Sequence, residues 1–266
     1  MANNNNHNRT QRQQRVISAG LIKNFDSPEA DAIVRLQSNI DFSSIDNPIH
    51  TIAVTSAQEA EGKTTLACNL ALIYAEKGLR AVIVDVDLRK PEVHRMFHLP
   101  NKVGVVEYVR GETDSIDDII HHTDSGLDVV TAGSPTPFSG KILSSSRMDV
   151  LISELKKKYD YVILDTPPVL VVSDAYLLGK MVDGYLFVCA QHISKKKEVA
   201  AGVNSLLEKH LNVIGTVITM ITTDEEKIRG GYGSYGYGYG YGYGYGKGHY
   251  GSYGGYHQHN KDENED

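Results

Sequence analysis

Short apolar runs alternate with longer amphipathic segments through the middle of the chain. Runs rich in Val, Ile and Leu, typical of strands buried on both faces, occupy 52–55, 81–85, 127–131, 161–165, 185–190 and 213–219. The segments with helical spacing of apolar residues lie at 64–77, 143–159, 173–182 and 195–210. This alternation predicts an α/β fold, an open and mostly parallel sheet flanked by helices.

Both ends of the chain differ in composition from this central part. Residues 1–27 are rich in Asn, Gln and Arg and predict a flexible arm. A helix is expected to begin at Pro28, with Ser27 as its cap, so the predicted domain spans 28–228. Beyond it, glycine and tyrosine alternate, and because such a segment cannot build a core, 229–266 predict a disordered tail.

Charge and hydropathy narrow the classes of function. The formal net charge of −6 is mild, and the basic residues are spread along the chain, which argues against nucleic-acid binding. No stretch approaches the roughly 18 apolar residues of a membrane span, and the polar N-terminus has no signal-peptide core. We therefore expect a cytoplasmic protein that reaches the inner face of a membrane only through a partner.

A phosphate-binding loop is indicated by the segment IAVTSAQEAEGKTTLACNLA, which passes from a predicted strand into a predicted helix. Backbone N–H groups at such a helix start cradle phosphates, while Lys63 would reach the β and γ oxygens and the Thr64 hydroxyl would bind Mg²⁺. The full motif has glycine where this chain has Ala57. Alone, the Gly-Lys-Thr triplet does not distinguish a nucleotide site from an ordinary helix start.

Acidic residues at the ends of two other predicted strands strengthen the case. Asp85 and Asp165 end apolar runs, and Asp87 follows two residues after the first. Ligands of open α/β sheets bind beyond the carboxyl ends of the strands, so these acids and the loop should share one crevice and hold a metal. Each acid alone could cap a turn, which is the role we assign to Asp174, whereas Asp160 precedes its strand and lies at the wrong end of the sheet.

Three motifs together resemble the bacterial tyrosine kinases (BY-kinases) that regulate capsule and exopolysaccharide synthesis, a branch of the superfamily of the Min and Par ATPases. TSAQEAEGKTT is similar to their Walker A motif, VIVDVDLRKP to Walker A′, and VILDTPP followed by VSDA to Walker B. The D-x-D-x-R pattern is the specific one, because general P-loop proteins lack it. The resemblance covers about residues 28 to 256.

This resemblance implies an ATP- and Mg²⁺-dependent protein-tyrosine kinase. Nucleotide contacts would come from Glu61, Gly62, Lys63, Thr64, Thr65 and Arg89. The metal ligands would be Thr64, Asp85 and Asp165, and the catalytic residues Lys63, Asp85, Asp87 and Asp165. Asp87 would lie near the incoming tyrosine hydroxyl as a base or metal ligand. Pairing at the surface remains an equal alternative for Arg89.

The tail supplies candidate substrates, and the resemblance implies their phosphorylation between subunits. The phosphoacceptors would be Tyr232, Tyr235, Tyr237, Tyr239, Tyr241, Tyr243, Tyr245, Tyr250, Tyr253 and Tyr256. The alternative is a low-complexity segment that self-associates weakly through aromatic stacking. Implied partners are a membrane adaptor of the polysaccharide co-polymerase type, further copies of this chain in a homo-oligomer, and a cognate tyrosine phosphatase.

Several positions depart from the family pattern. Family members usually carry Pro-Gly where this chain has Glu59-Ala60, which predicts a stiffer loop and repulsion of phosphates. The E-x-x-R-x-x-R motif of ring assembly reads Asp31, Val34 and Gln37 here, and Thr219 occupies the place of an asparagine close to the adenine. Two other functions therefore stay open, a MinD- or ParA-like switch ATPase and a weakly active regulatory scaffold. The first usually has a lysine where this chain has Gln58.

Overall fold

The computed structural model describes residues 21–43 and 47–221. Most of the predicted arm and the whole tyrosine-rich tail therefore lie outside the described residues, and the predictions made for them stay predictions. None of the helices within the described ranges has the length and apolar character needed to cross a membrane.

One seven-stranded sheet forms the centre of the described fold. Its strands are β1 (Thr51–Ser56), β2 (Ala81–Asp85), β3 (Ile120–His122), β4 (Asp128–Val130), β5 (Tyr161–Asp165), β6 (Gly184–Ala190) and β7 (Val213–Thr219). Their order across the sheet is β3-β4-β2-β5-β1-β6-β7, and only the β3–β4 pair is antiparallel. Because β1, β2 and β5 are flanked on both sides, their side chains are almost entirely buried, as continuous apolar runs predict.

Helices cover both faces of this sheet. They are α1 (Pro28–Ser43), α2 (Lys63–Glu76), α3 (Val93–Met96), α4 (Val105–Arg110), α5 (Ser139–Leu143), α6 (Ser146–Lys158), α7 (Asp174–Leu177) and α8 (Lys196–Leu207), with a 3₁₀ turn at Ile116–Ile119. The central helix α2 is buried on nearly every side because it packs on β1, β2 and β5 while α1 covers its outer surface. Lys63, the first residue of α2, is therefore held on a rigid element.

A polar network fastens α1 to this core. The Tyr74 and Tyr161 rings stack with centroids 3.7 Å apart, and their hydroxyls donate to Asp41 Oδ1 at 3.2 and 3.1 Å. Gln37 is buried, accepts a hydrogen bond from Lys77 and donates one to Asp41. Gln37, one of the three positions of the degenerate ring-assembly motif, thus makes these contacts within its own chain.

The predicted α/β class and its six strands are confirmed, while one strand and several helices differ from the prediction, among them α3, α4 and α5, which were not predicted. The strand β3 was missed because three residues at a sheet edge show no periodicity. The predicted helix at 143–159 begins three residues later, at Ser146, because Ser145 caps α6 by accepting a hydrogen bond from the Met148 N–H. The predicted helix at 173–182 is helical only at Asp174–Leu177, since the next N–H groups bond three residues back, as in turns.

Candidate functional site

The loop between β1 and α2 is shaped by its own hydrogen bonds. The Gln58 N–H donates to Glu61 Oε2 at 2.8 Å, and the Ser194 hydroxyl donates to the other Glu61 oxygen. Thr219 Oγ1 donates to the Glu61 carbonyl at 2.6 Å, which ties the loop to the end of β7. Glu61 is buried, so its side chain supports the loop, and only its backbone remains for the predicted nucleotide contact.

Two residues of this loop have left-handed backbone conformations. Gly62 has a φ of 86°, and Ala60, at the place of the family's usual glycine, has a φ of 61°. This region costs a residue with a Cβ roughly 1 kcal/mol or more, whereas glycine enters it freely. This position of the loop thus has a backbone conformation typical of glycine, although Ala60 occupies it.

We expect Ala60→Gly to raise the free energy of unfolding by up to about 1 kcal/mol, because relief of strain exceeds the added freedom of the unfolded chain. Urea denaturation measures this difference. The matched control is Ala57→Gly, at a buried residue of the same loop that lacks a positive φ, and it should destabilise the protein. A loss of stability in Ala60→Gly would contradict the inference that the backbone of Ala60 is strained.

The acidic residues of two neighbouring strands meet the start of α2. Asp85 and Asp165 are register partners at the ends of β2 and β5. Lys63 Nζ lies 3.1 Å from Asp87 Oδ2 and 3.6 Å from Asp165 Oδ1. Thr64 Oγ1 donates to Asp165 Oδ2 at 2.6 Å. The structure therefore brings together the five residues that the sequence placed in one crevice.

Asp85 shapes the segment that follows β2. Its Oδ1 accepts the Asp87 N–H at 3.2 Å, and its Oδ2 accepts the N–H groups of Glu92 and Val93 at 3.1 and 3.0 Å. Both carboxylate oxygens are thus used to hold residues 86–93 and to begin α3. Its role as a metal ligand stays a prediction, and Asp165 is more available for it.

Burial and charge crowding perturb these groups. Burial, followed by the nearby Asp165 carboxyl, raises the pKa of Asp85 well above its ordinary value. Burial also raises the pKa of Asp165 to about 6, although Lys63 and the Thr64 hydroxyl act in the opposite direction. Burial would lower the pKa of Lys63, but Asp165 and Asp87 together outweigh it and the pKa is raised. Lys63 is therefore charged, and the carboxyl groups of Asp85, Asp87 and Asp165 outnumber this one cation.

This surplus of buried carboxyl oxygen fits a divalent cation. Asp165 Oδ1 is inaccessible to solvent and has no hydrogen-bond partner, with Lys63 Nζ 3.6 Å away, while the Thr64 hydroxyl donates to the other oxygen of the same carboxyl. Oxygen ligands of this kind are those that Mg²⁺ prefers. Within residues 21–43 and 47–221, no group of three or more acidic, His or Cys side chains is already arranged around a common point as a metal site. The protein side of a Mg²⁺ site would thus be Thr64 and Asp165, with phosphate and water completing it.

Two ion pairs lie around the crevice, and the first is the pairing that the sequence left open for Arg89, with a partner that it did not identify. Arg89 donates to both oxygens of the buried Asp174, from Nε at 3.0 Å and from Nη2 at 3.4 Å. Lys90 Nζ lies 2.6 Å from both oxygens of Glu59. Asp174, interpreted as a cap, is thus the partner of Arg89, and Lys90 offsets the expected repulsion by Glu59. The predicted nucleotide contact of Arg89 would require it to leave or share Asp174.

A cleft of about 710 Å³ adjoins the loop on the side of β7. Gly62 and Thr65 form one wall, and residues from Thr219 to Ile221 form another. The hydroxyl of Thr219 is engaged with Glu61, so apolar side chains supply most of this wall. Thr219, at the place where the family resemblance puts an asparagine close to the adenine, lies in the lining of this cleft.

Comparison with known proteins adds to this geometry. The AAA domain family matches residues 49–214. The tyrosine-protein kinase YwqD of Bacillus subtilis is 34% identical over 228 residues, which cover 85% of this chain and 95% of that protein. The solved structure of the chimerical protein CapA2B2 is similar with a TM-score of 0.71 and 33% identity over 74% of this chain and 86% of that chain. The kinase domain of Escherichia coli tyrosine kinase ETK is similar with a TM-score of 0.68 and 30% identity, and the match covers 79% of this chain and 80% of that chain.

Proposed function

This chain belongs to the bacterial tyrosine-protein kinases with an AAA-type P-loop domain, and on that premise we propose that it transfers the γ-phosphoryl group of ATP to tyrosines of its own C-terminal tail. The observation that carries the proposal is the meeting of Lys63 and Thr64 with the acids at the ends of β2 and β5. A lysine held among carboxylates beside a phosphate-binding loop is suited to phosphoryl transfer, which depends on positioning and charge stabilisation.

Binding of ATP would redistribute the contacts of Lys63. In the structure Lys63 pairs with Asp87, so each charge is offset by the other. Phosphate oxygens seated on the loop would compete for Lys63 and release Asp87 to accept the proton of a tyrosine hydroxyl. Such a base is needed because a tyrosine with a pKa near 10 is a poor nucleophile at neutral pH.

A magnesium ion fits the proposed reaction. Thr64 and Asp165 would hold it directly, with Asp85 in support and Arg89 near the phosphates. When bound, Mg²⁺ would neutralise charge on the β and γ phosphates. The other roles would belong to the chain's own residues. Lys63 would orient the phosphates, and the buried strand ends would exclude water.

The acceptor tyrosines, Tyr232 to Tyr256, would enter the active site of a neighbouring subunit. Glycines between them leave the backbone free to present several tyrosines in turn. Each phosphate adds roughly −1.5 to −2 charge at neutral pH, so a phosphorylated tail would repel its neighbours and loosen a homo-oligomer. We further propose recruitment to the membrane by an adaptor, reversal by a tyrosine phosphatase, and control of capsule or exopolysaccharide synthesis.

The proposal is tested by incubating the purified chain with Mg-ATP, with and without the cytoplasmic segment of a candidate adaptor, and mapping phosphotyrosine by mass spectrometry. We expect labels confined largely to residues 232–256 and increased by the adaptor. A MinD- or ParA-like switch would hydrolyse ATP without labelling tyrosine, and a weakly active scaffold would label the tail at most in trace amounts even with the adaptor. Either result would reject the kinase proposal.

A further inference from the structure

The cleft beside the loop has a wall that the P-loop fold alone does not supply. Residues Leu21 to Lys23, which we name the strap, line it together with the end of β7. The first helix α1 contributes Ala32, Ile33 and Leu36 to the lining. The cleft is therefore enclosed in part by a short segment that precedes the domain's first helix.

The strap is anchored to the helix that carries the phosphate loop. The Ile22 N–H donates to Asn69 Oδ1 at 2.8 Å. Asn69 is buried in α2 and lies four residues after Thr65, so both face the cleft from one side of the helix. Leu21 packs against the core cluster around α2. A turn in which the Ser27 N–H donates to the Asn24 carbonyl joins the strap to α1.

The cleft suits the base of the nucleotide whose phosphates the loop would bind. Gly62 and Thr65 line the cleft and belong to the loop itself, so the two sites are continuous. The volume of about 710 Å³ falls within the range of roughly 300 to 1,000 Å³ of small-molecule sites. Apolar side chains of the strap and of Met220 and Ile221 face it, and apolar walls of this kind stack well on the flat surface of a base.

We propose that the strap closes over the base of the bound nucleotide, and that Leu21 and Asn69 are positioning residues that strengthen nucleotide binding. The proposal rests on the proposed function, because it takes the phosphates to sit at Gly62 to Thr65. Asn69 acts through the backbone of Ile22, and Leu21 acts by packing. Neither residue needs to contact the phosphates.

The test compares two ligands that differ only in the nucleoside. Leu21→Ala and Asn69→Ala are made in the full chain, and the affinities for Mg-ADP and for Mg-pyrophosphate are measured by calorimetry. We expect each variant to bind Mg-ADP about tenfold more weakly, as loss of one well-packed apolar group or one hydrogen bond would cause. Affinity for Mg-pyrophosphate should change by less than about twofold.

Two control variants separate the strap from general effects. Leu21→Met keeps an apolar side chain of similar volume and should retain the Mg-ADP affinity. Phe42→Ala removes an apolar side chain from α1 that is 74% exposed and should also retain it. Equal losses for both ligands, or unchanged Mg-ADP affinity, would overturn the strap proposal. Failure of the unaltered chain to bind either ligand would instead reject the proposed function.

Discussion

Replacing Lys63 with methionine is expected to reduce tail phosphorylation by a thousandfold or so, to background. Lys63 is the cation beside the loop that Asp87 and Asp165 hold in place, and its charge would stabilise the phosphates as they transfer. Removal of one such preorganised donor lowers rates by about a hundredfold to a thousandfold. Phosphotyrosine on the tail, quantified by mass spectrometry after incubation with Mg-ATP, measures the loss.

The matched control is Lys90→Met, because Lys90 is also near the loop but is mostly exposed and pairs with Glu59. It should keep most of the activity. Mixing the Lys63→Met chain, with its tail intact, with an active chain truncated after residue 228 tests the route of transfer. Labelling of the Lys63→Met chain is expected if transfer runs between subunits. Full labelling of Lys63→Met incubated alone would show that the site is assigned to the wrong lysine.

The sheet and the meeting of the acids could be predicted because both follow from local patterns. A buried strand in a parallel sheet must be apolar throughout, so runs such as 161–165 indicate strands without further information. The carboxyl ends of such strands lie at one edge, so Asp85 and Asp165 had to be close to the start of α2 once the strands were assigned.

The partners of individual charges could not be predicted in this way. Arg89 and Asp174 are far apart in sequence, and no local pattern distinguishes a buried acid that holds an arginine from one that caps a helix. Asp85 likewise fits the pattern of a metal ligand, but its oxygens accept three backbone N–H groups. Such contacts depend on the path of the chain after β2, which the sequence does not encode in any periodic form.

The strap shows the same limit. Residues Leu21 to Lys23 belong to a segment interpreted from composition as a flexible arm, and only two of them are apolar. Their position depends on a hydrogen bond from the Ile22 backbone to Asn69 and on packing of Leu21 against the core around α2. Contacts of this kind leave no periodic trace in the sequence.

Replacing Asp165 with asparagine is expected to separate binding from stability. The variant should bind Mg-ADP at least about tenfold more weakly, because the oxygen without a hydrogen-bond partner would no longer carry the charge that Mg²⁺ needs. It should also be more stable than the unaltered chain by about 1 to 3 kcal/mol. Burial raises the pKa of Asp165 to about 6, so at neutral pH the carboxyl is still mostly ionised in the folded protein, but less favourably than in the unfolded chain. One pKa unit corresponds to about 1.4 kcal/mol, and asparagine removes this cost of folding.

Calorimetry with Mg-ADP and urea denaturation at neutral pH measure these two effects. Asp160→Asn is the matched control, because Asp160 immediately precedes β5 and pairs with Arg80, at the opposite end of the strand from Asp165. The control should leave Mg-ADP binding unchanged and should not stabilise the fold. A gain of stability together with a loss of binding is the behaviour of an acid retained for its function. Unchanged Mg-ADP affinity in Asp165→Asn would contradict a metal site at this strand end.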